Sequence, residues 1–412
     1  MKKLKHIISI AIWSILGFYI FLAISTHVPF IQKFIGNVTA NAIEKKIGAD
    51  VSIGKVNLGF MNRLIVDDIV IKDKNNAEMI KSSRFSVKLD LYDLISGKVN
   101  VSSAQIFGLR ANLYKADEMS KPNFQFLIDS LRSKDDSKAG TDINIKSLVI
   151  RHGAIKYDVH SHPVSNVINP NHIEIKDISS NIALNIKSNG EADINIKSFA
   201  CKEKSGVDLR NLTLFLHHDK KHSYIKDLKI ELPNSYIYTD SIYLSYHSDN
   251  KGNNWKIVNI YNNNINAVVH AQDLAFLSNE LKSVDNTINI SLRIQGNEKT
   301  VLIPSFKANT PDGSFVLNTG ISIRDWQERN STWGVENLTL KARTDFYEDI
   351  LTAFHVDEDI VSKISKTGEI KLTLDAAGDN KDLTAQGNLV TQAGAAKFKS
   401  NLYNDHLTAD IT

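Results

Sequence analysis

In residues 287–295, TINISLRIQ, the apolar Ile288, Ile290, Leu292 and Ile294 alternate with the polar Asn289, Ser291, Arg293 and Gln295. Successive side chains on a strand point to opposite faces, so this string predicts a β-strand with one apolar and one wet face. The same period recurs outward in both directions. Val87, Leu89 and Leu91 repeat it, as do Ile182, Leu184 and Ile186, and Ile194 with Ile196. Leu212, Leu214 and Leu216 form another such row. Leu228, Ile230 and Leu232 follow, and near the end come Ile370, Leu372 and Leu374.

The breaks between strings carry turn chemistry, such as Gly296-Asn297, Pro311-Asp312-Gly313 and Gly378-Asp379-Asn380. Short turns predict antiparallel neighbours. The expected body, residues 142–412, is therefore a long, mostly antiparallel sheet with a few short helices. Those helices are expected within Pro122–Leu131, Asp273–Leu281 (Leu274, Leu277 and Leu281 on one side) and Asp345–Ile364. Charged residues 133–141 read as a linker. Ile143 and Ile145 are odd-numbered whereas Leu148 and Ile150 are even, which predicts a bulge or strand boundary near Ser147.

The N-terminus has a different pattern. Residues 7–24, IISIAIWSILGFYIFLAI, carry no charge, and they include Ile7, Ile10, Trp13, Leu16, Tyr19, Phe21 and Leu22. At about 1.5 Å per residue they span about 27 Å as a helix, close to a hydrocarbon core of about 30 Å. Lys2, Lys3 and Lys5 precede them and the next cation is Lys33. This asymmetry predicts a cytoplasmic tip and single anchor over 1–29, with the body across the membrane. A cleaved signal peptide is the competing reading. It requires a shorter apolar stretch and a small-residue cleavage site, and bulky Phe18, Tyr19, Phe21 and Leu22 crowd the candidate at Ala23-Ile24-Ser25. Over 30–48, Phe30, Phe34, Val38, Ile43 and Ile47 keep helical spacing up to Gly48. That helix either caps the end of a sheet or lies on the membrane surface; the spacing favours the cap.

With 412 residues, 42% hydrophobic, the chain is long enough for sizeable cores. A net charge of +3 gives no field to recruit nucleic acid. One cysteine, Cys201, excludes an internal disulfide and a cysteine-built zinc site. Phosphate-loop, dinucleotide, nucleophile-elbow and zinc-protease motifs are absent from the sequence, which points away from an enzyme and suggests no cofactor. His160/His162 and His217/His218/His222 read as turn histidines, since no ligand set completes a metal site. Asp67-Asp68 and Asp135-Asp136 are adjacent pairs whose members point apart on a strand, and they read as surface charge.

Residues 48–115 have a cadence of strands broken by Asp73–Asn76 and Asp93-Leu94-Ile95-Ser96-Gly97, closing on Gly108–Tyr114. This order, behind a single anchor, resembles the N-terminal unit of the AsmA-like superfamily, here spanning 49–132. Residues 143–159 and 385–411 resemble its translocation-and-assembly-module (TamB-like) members of the Bacteroidota type. The resemblance implies a sheet curled into an open hydrophobic groove that carries phospholipid between inner and outer membranes. It implies membrane-lipid acyl chains, the inner membrane and a BamA-like outer-membrane barrel protein as partners, and a periplasmic body. Val87, Leu89, Ile182, Leu184, Ile194, Leu212, Leu214, Leu228, Ile230, Ile288, Ile290, Leu292 and Leu372 are the candidate lining. Family members are usually longer, with a further C-terminal domain, so the series ending at Thr412 implies an incomplete groove. A scaffold that helps outer-membrane barrels insert, by offering a sheet edge to a client strand, is the alternative function. A hydrolase or sugar-binding sandwich is a third; it requires clustered aromatics and carboxylates in loops, which the sequence does not display.

Overall fold

The structure is a computed structural model. It describes residues 32, 36–37, 40–41, 44–45, 47–59, 63–89, 99–131, 143–187, 189–248, 255–403 and 406–412. The expected anchor (7–24), the linker (133–141), Asp93–Gly97 and most of the 30–48 apolar stripe lie outside these residues. No helix among the described residues is long and apolar enough to cross a membrane.

The fold is mainly β, in mixed-sheet structure with few helices. The strands are β1 (Val51–Gly59), β2 (Arg63–Lys72), β3 (Glu78–Leu89), β4 (Val99–Phe107), β5 (Arg110–Lys115), β6 (Ile143–Val159), β7 (His172–Ile186) and β8 (Ala192–Glu203). They continue as β9 (Asp208–Leu209), β10 (Asn211–His218), β11 (His222–Glu231), β12 (Tyr236–Ser248), β13 (Trp255–His270), β14 (Thr287–Asn297) and β15 (Thr300–Asn309). The last are β16 (Phe315–Arg324), β17 (Thr332–Ala342), β18 (Ile370–Gly378), β19 (Leu383–Thr391), β20 (Gly394–Tyr403) and β21 (His406–Ile411). The helices are α1 (Gln125–Leu131), α2 (Thr344–Ala353) and α3 (Glu358–Ser365).

Contacts divide the chain into two units. Unit 1 holds the described residues up to Ser165, with Asn169–Asn189 and Lys197–Lys204. Unit 2 holds Asn166–Ile168, Gly190–Ile196 and Ser205–Thr412.

In unit 1, β1, β2 and β3 form an antiparallel meander. The far edge of β3 is shared: Arg84–Leu89 pair with β4, whereas Ile80 and Lys81 pair with β5. The interruption falls at Gly108, whose φ of 62° turns the chain between the two. Here the expectation of antiparallel neighbours fails, because β6 runs parallel to both β4 and β5. The chain between β5 and β6, including α1, is long enough to return the next strand in the same direction. These pairings also group β6 and β7 with β1–β5. The slip anticipated near Ser147 appears as a register shift between Ile145 and Leu148 where β6 meets β7.

Unit 1 seals much of its apolar face. Val87, Val101 and Ala104 are buried together, with Leu64, Phe85, Ile145 and Leu148 packed on them. A second cluster joins Ala49, Met79 and Phe126 of α1, flanked by Ile47, Ile71 and Leu113. The described residues between 32 and 47 are helical, and Gly48 follows at φ 71°. Its N–H donates to the Glu44 carbonyl at 2.7 Å. Ile47 packs against the cluster of Ala49, Met79 and Phe126.

In unit 2, β10 pairs with the start of β8 and with β11, and β11 to β21 then pair in sequence order, all antiparallel. The predicted turns close through Asx side chains. Lys299 and Thr300 N–H donate to Asn297 Oδ1 at 2.9 Å each, and Lys381 and Asp382 N–H to Asp379 Oδ1 at 2.8 Å each. Irregularities fall at neighbouring positions in successive strand pairs: Asn262/Ile265, Leu292/Gln295, Ile303/Phe306, Asn318/Gly320 and Val335/Leu338. Asp227 in β11 and Asn337 in β17 adopt positive φ on this line. Bulges bend a strand and sharpen its twist, so the sheet of unit 2 bends where they align.

The helix expected over Asp273–Leu281 is instead two 3₁₀ segments, Ala271–Leu274 and Asn279–Ser283, and Leu277 is exposed. Ser278 between them is extended (φ −154°), and so short an apolar run lacks the contacts to propagate a helix. Asp345–Ile364 falls into α2 and α3 as expected, and Phe346 of α2 stacks on Phe315 at 4.7 Å.

Candidate functional site

Residues directly opposite each other on paired strands share a face, so register reads the faces of unit 2 strand by strand. From Ile290 in one direction the opposed residues are Ala267, Ile237, Ile230 and Leu212. In the other they are Ala308, Leu317, Leu340, Leu372, Leu389 and Ala396. The row is apolar at every one of its eleven strands. At about 4.8 Å per strand it runs about 48 Å. One residue along, the opposite face reads Thr213, Lys229, Tyr238, Asn266, Ser291 and Lys307, and then Asn318, Thr339, Thr373, Asn388 and Lys397.

The apolar row is not sealed. Its leucines and isoleucines are all half-buried, and only Ala267 and Ala308 are fully buried. Ile288, Ile290, Leu292 and Ile294 of β14 are all half-buried too, giving the face a breadth of about 20 Å along the strand. Two buried polar side chains interrupt it at the bulge line: Asn262 Nδ2 donates to Thr239 Oγ1 and to the Ser241 carbonyl, each at 2.6 Å. They satisfy polar groups that the bulge leaves out of the ladder.

The candidate lining divides between the units. Leu212, Ile230, Ile290 and Leu372 lie in the row just described. Ile288, Leu292, Leu228 (opposite Thr239), Leu214 (opposite Ile196) and Ile194 (opposite Leu216) flank it on half-buried positions. In unit 1, Ile182 stands opposite Leu148 and Leu184 opposite Ile145. Val87 is 8% exposed, packed in a cluster with Val101 and Ala104. The backbone of Leu89 ends β3, and its side chain lies outside the described residues.

No family model, no curated protein and no solved structure matches the chain.

The histidines are built into networks at strand ends. His217 Nδ1 lies 2.6 Å from Asp193 Oδ1, and its ring stacks on Tyr224 at 4.8 Å. His222 lies 3.4 Å from the Asp219 carboxylate, and His218 Nδ1 is 2.6 Å from Tyr246 Oη. Backbone N–H groups of Lys221 and His222 hold the Asp219 carboxyl below its usual range, against the opposing effect of burial. Burial pushes the Tyr246 phenol up. In unit 1, His162 contacts Glu118 at 2.9 Å and His172 contacts Asp158 at 3.1 Å. Among the described residues no group of three or more His, Cys, Asp or Glu side chains is placed to hold a metal ion. Of the adjacent carboxylates, Asp67 pairs with Arg84 at 2.7 Å and Asp68 has a positive φ of 54°. Asp135-Asp136 lie outside the described residues.

Sequence reading missed the concavities of the polar face. One of about 890 Å³ is lined by Arg324, Glu336, Asp375, Gln386 and Lys399, with Trp333 at its rim. Another, of about 600 Å³, is lined by Tyr236, Tyr238, Asn266, Asn289, Ser291 and Lys307. Their residues are far apart in sequence and meet only through strand register.

Proposed function

We propose that unit 2 carries the hydrocarbon tails of membrane lipids along its apolar face, as the periplasmic body of an inner-membrane-anchored, bridge-like lipid carrier. The observation that supports this reading most is the continuous row from Leu212 to Ala396, apolar on eleven successive strands, with its leucines and isoleucines only half-buried. An apolar strip this long left open to water calls for a partner. Each CH₂ that leaves water for it gains about 0.8 kcal/mol, so a tail is held by many similar contacts. Near-equal positions suit movement, because no one of them forms a deep trap. Head groups stay in water at the margin. A passive face sets no direction, which a gradient or partner protein must supply. The uncharged segment Ile7–Ile24 would anchor the body to the membrane that donates or receives lipid.

The test is photo-crosslinking from Ile290 and Leu340, with Ser291 on the opposite face as control. Lipid captured from the first two and not from the third supports the reading. Capture of protein alone at Ile290 and Leu340 would falsify it.

One observation favours the scaffold alternative. Among the described residues β21 pairs only with β20, and all six of its residues are exposed. An exposed strand of this kind is a surface to which a client strand can add. That reading predicts protein capture from Thr408 or Asp410, with no lipid captured from Ile290.

A further inference from the structure

We infer that the polar face of unit 2 is a carbohydrate-binding surface for an uncharged pyranose chain. This rests on the face opposite the lipid row, and it stands or falls independently of lipid carriage. The geometry begins in the concavity of about 600 Å³, where Tyr236 and Tyr238 form one wall and Asn266, Asn289 and Ser291 supply amides and a hydroxyl. Its volume falls in the range of small-ligand sites, about 300–1,000 Å³. Both tyrosines are open to solvent, 46% and 38% exposed. Beyond the bulge line the aromatic surface continues: His217 opposes Tyr224, Tyr224 opposes Tyr243, and Tyr243 opposes Tyr261. This places one aromatic ring on each of four successive strands, about 4.8 Å apart.

The rings are held, not loose. Tyr261 Oη donates to Asn263 Oδ1, two residues on, at 2.6 Å, and Tyr238 Oη donates to the Asp240 carboxylate in the same way. Each of these phenols is tethered to its own strand, whereas the Tyr224 ring is stacked on His217 at 4.8 Å with Lys226 Nζ over it at 4.9 Å. Tyr243 and Tyr261 are 37% and 47% exposed.

A wet sheet face has no need of four exposed tyrosines; they are amphipathic, rigid contact groups. A pyranose offers an apolar C–H face to an aromatic ring and a rim of hydroxyls to amide and hydroxyl partners. The surface supplies both together. Lys229 pairs with Glu231 at 2.6 Å, Lys226 lies over the Tyr224 ring at 4.9 Å, and the Asp193, Asp219 and Asp240 carboxylates contact the histidines and tyrosine of the same surface, so the patch lacks the cationic excess a nucleic acid or an acidic polymer requires. Asparagines, serine and lysines alternate with the rings, whereas the core of a protein interface is depleted in lysine and serine.

The test is saturation-transfer NMR and titration calorimetry on the full chain in detergent, with cellohexaose and chitohexaose as probes. The expected result is saturation transfer to the ring C–H protons of at least one hexasaccharide. In Tyr238→Ala and in Tyr261→Ala affinity should fall about tenfold, with circular dichroism unchanged because both rings are exposed. No saturation transfer at millimolar probe overturns the inference. So does affinity unchanged in the Tyr238→Ala/Tyr261→Ala double variant. A photo-crosslinker at Tyr261 that captures protein, with no transfer to either sugar, assigns the surface to a protein partner and overturns it too.

Discussion

Unit 1 and unit 2 are written in the same alternating code, yet they treat their apolar faces in opposite ways. In unit 1 the alternation ends in closed cores, with Val87 at 8%, Met79 at 1% and Phe126 at 8% exposure. In unit 2 the fully buried apolar residues are mostly alanines, and the large side chains of the central row stay half-buried. Helices explain part of the contrast. In unit 1, α1 and the helix ending at Ile47 deliver side chains into the cluster around Met79. In unit 2, α2 reaches Phe315, at the end of β16, and leaves the middle of the row open. A sealed face is a foundation, and an open one is a surface for something else.

The largest effect expected from this contrast is at Val87. Val87→Asp places an uncompensated charge among Val101, Ala104 and Leu148, at a cost of about 3–5 kcal/mol. Hydrogen exchange read peptide by peptide should accelerate across β2–β4 and β6 and leave β14–β18 protected. Equal acceleration in both units would show that they do not differ in the way described.

Next is Asp73, 5% exposed in the turn before β3. Burial alone would raise its pKa. The Ala77 and Asn75 N–H groups, Tyr114 Oη and Asn123 Nδ2 outweigh burial and hold the carboxyl below its usual range. A depressed folded-state pKa contributes stability that is present above the unfolded value of about 3.9 and is lost as pH falls below it toward the folded value. Asp73→Asn should cost about 1–3 kcal/mol near neutral pH. It should also flatten the acid side of the stability profile of unit 1, measured as urea midpoint from about pH 6 downward. An unaltered acid limb would remove Asp73 from the account. Smaller again is Gly108→Ala. The left-handed φ costs an L-residue about 1–2 kcal/mol, and the new Cβ would sit 2.1 Å from Ser83 Oγ. The loss should appear in exchange at β3–β5, where that turn divides one strand into two.

These positions show how far the sequence could be read. The strand at Ile288–Ile294 was legible because its signal is local, and so was the slip near Ser147, where the alternation changes phase. The parallel pairing of β6 was not, since direction depends on the crossover and not on period. The helix expected at Asp273–Leu281 breaks in its middle, where Leu277 is exposed and Ser278 is extended, although Leu274 and Leu281 are half-buried. Val87 and Ile290 look alike in sequence; what separates them is the set of neighbours brought over each face. The tyrosine row was invisible for a related reason. Tyr224, Tyr243 and Tyr261 sit on three separate strings, and only the hairpin registers of β11–β13 bring them side by side.

The smallest expected effect on stability is also the sharpest use of the comparison. Ile290 occupies the same kind of alternating position as Val87, but its side chain keeps contact with water. Ile290→Asp therefore leaves its charge solvated and should cost unit 2 about 1 kcal/mol, within the spread of strand preferences. The functional cost should be far larger. A carboxylate in the row sheds its hydration only at several kcal/mol when a hydrocarbon tail passes over it. Lipid capture from Leu340, three strands along the row from Ile290, should fall while the fold survives. Ser291→Asp, one residue along and on the wet face, should change neither. If Ile290→Asp unfolds unit 2 as Val87→Asp unfolds unit 1, the row is a core and not a surface. If the charge is tolerated and lipid capture persists, the row is open but lipid does not travel along it.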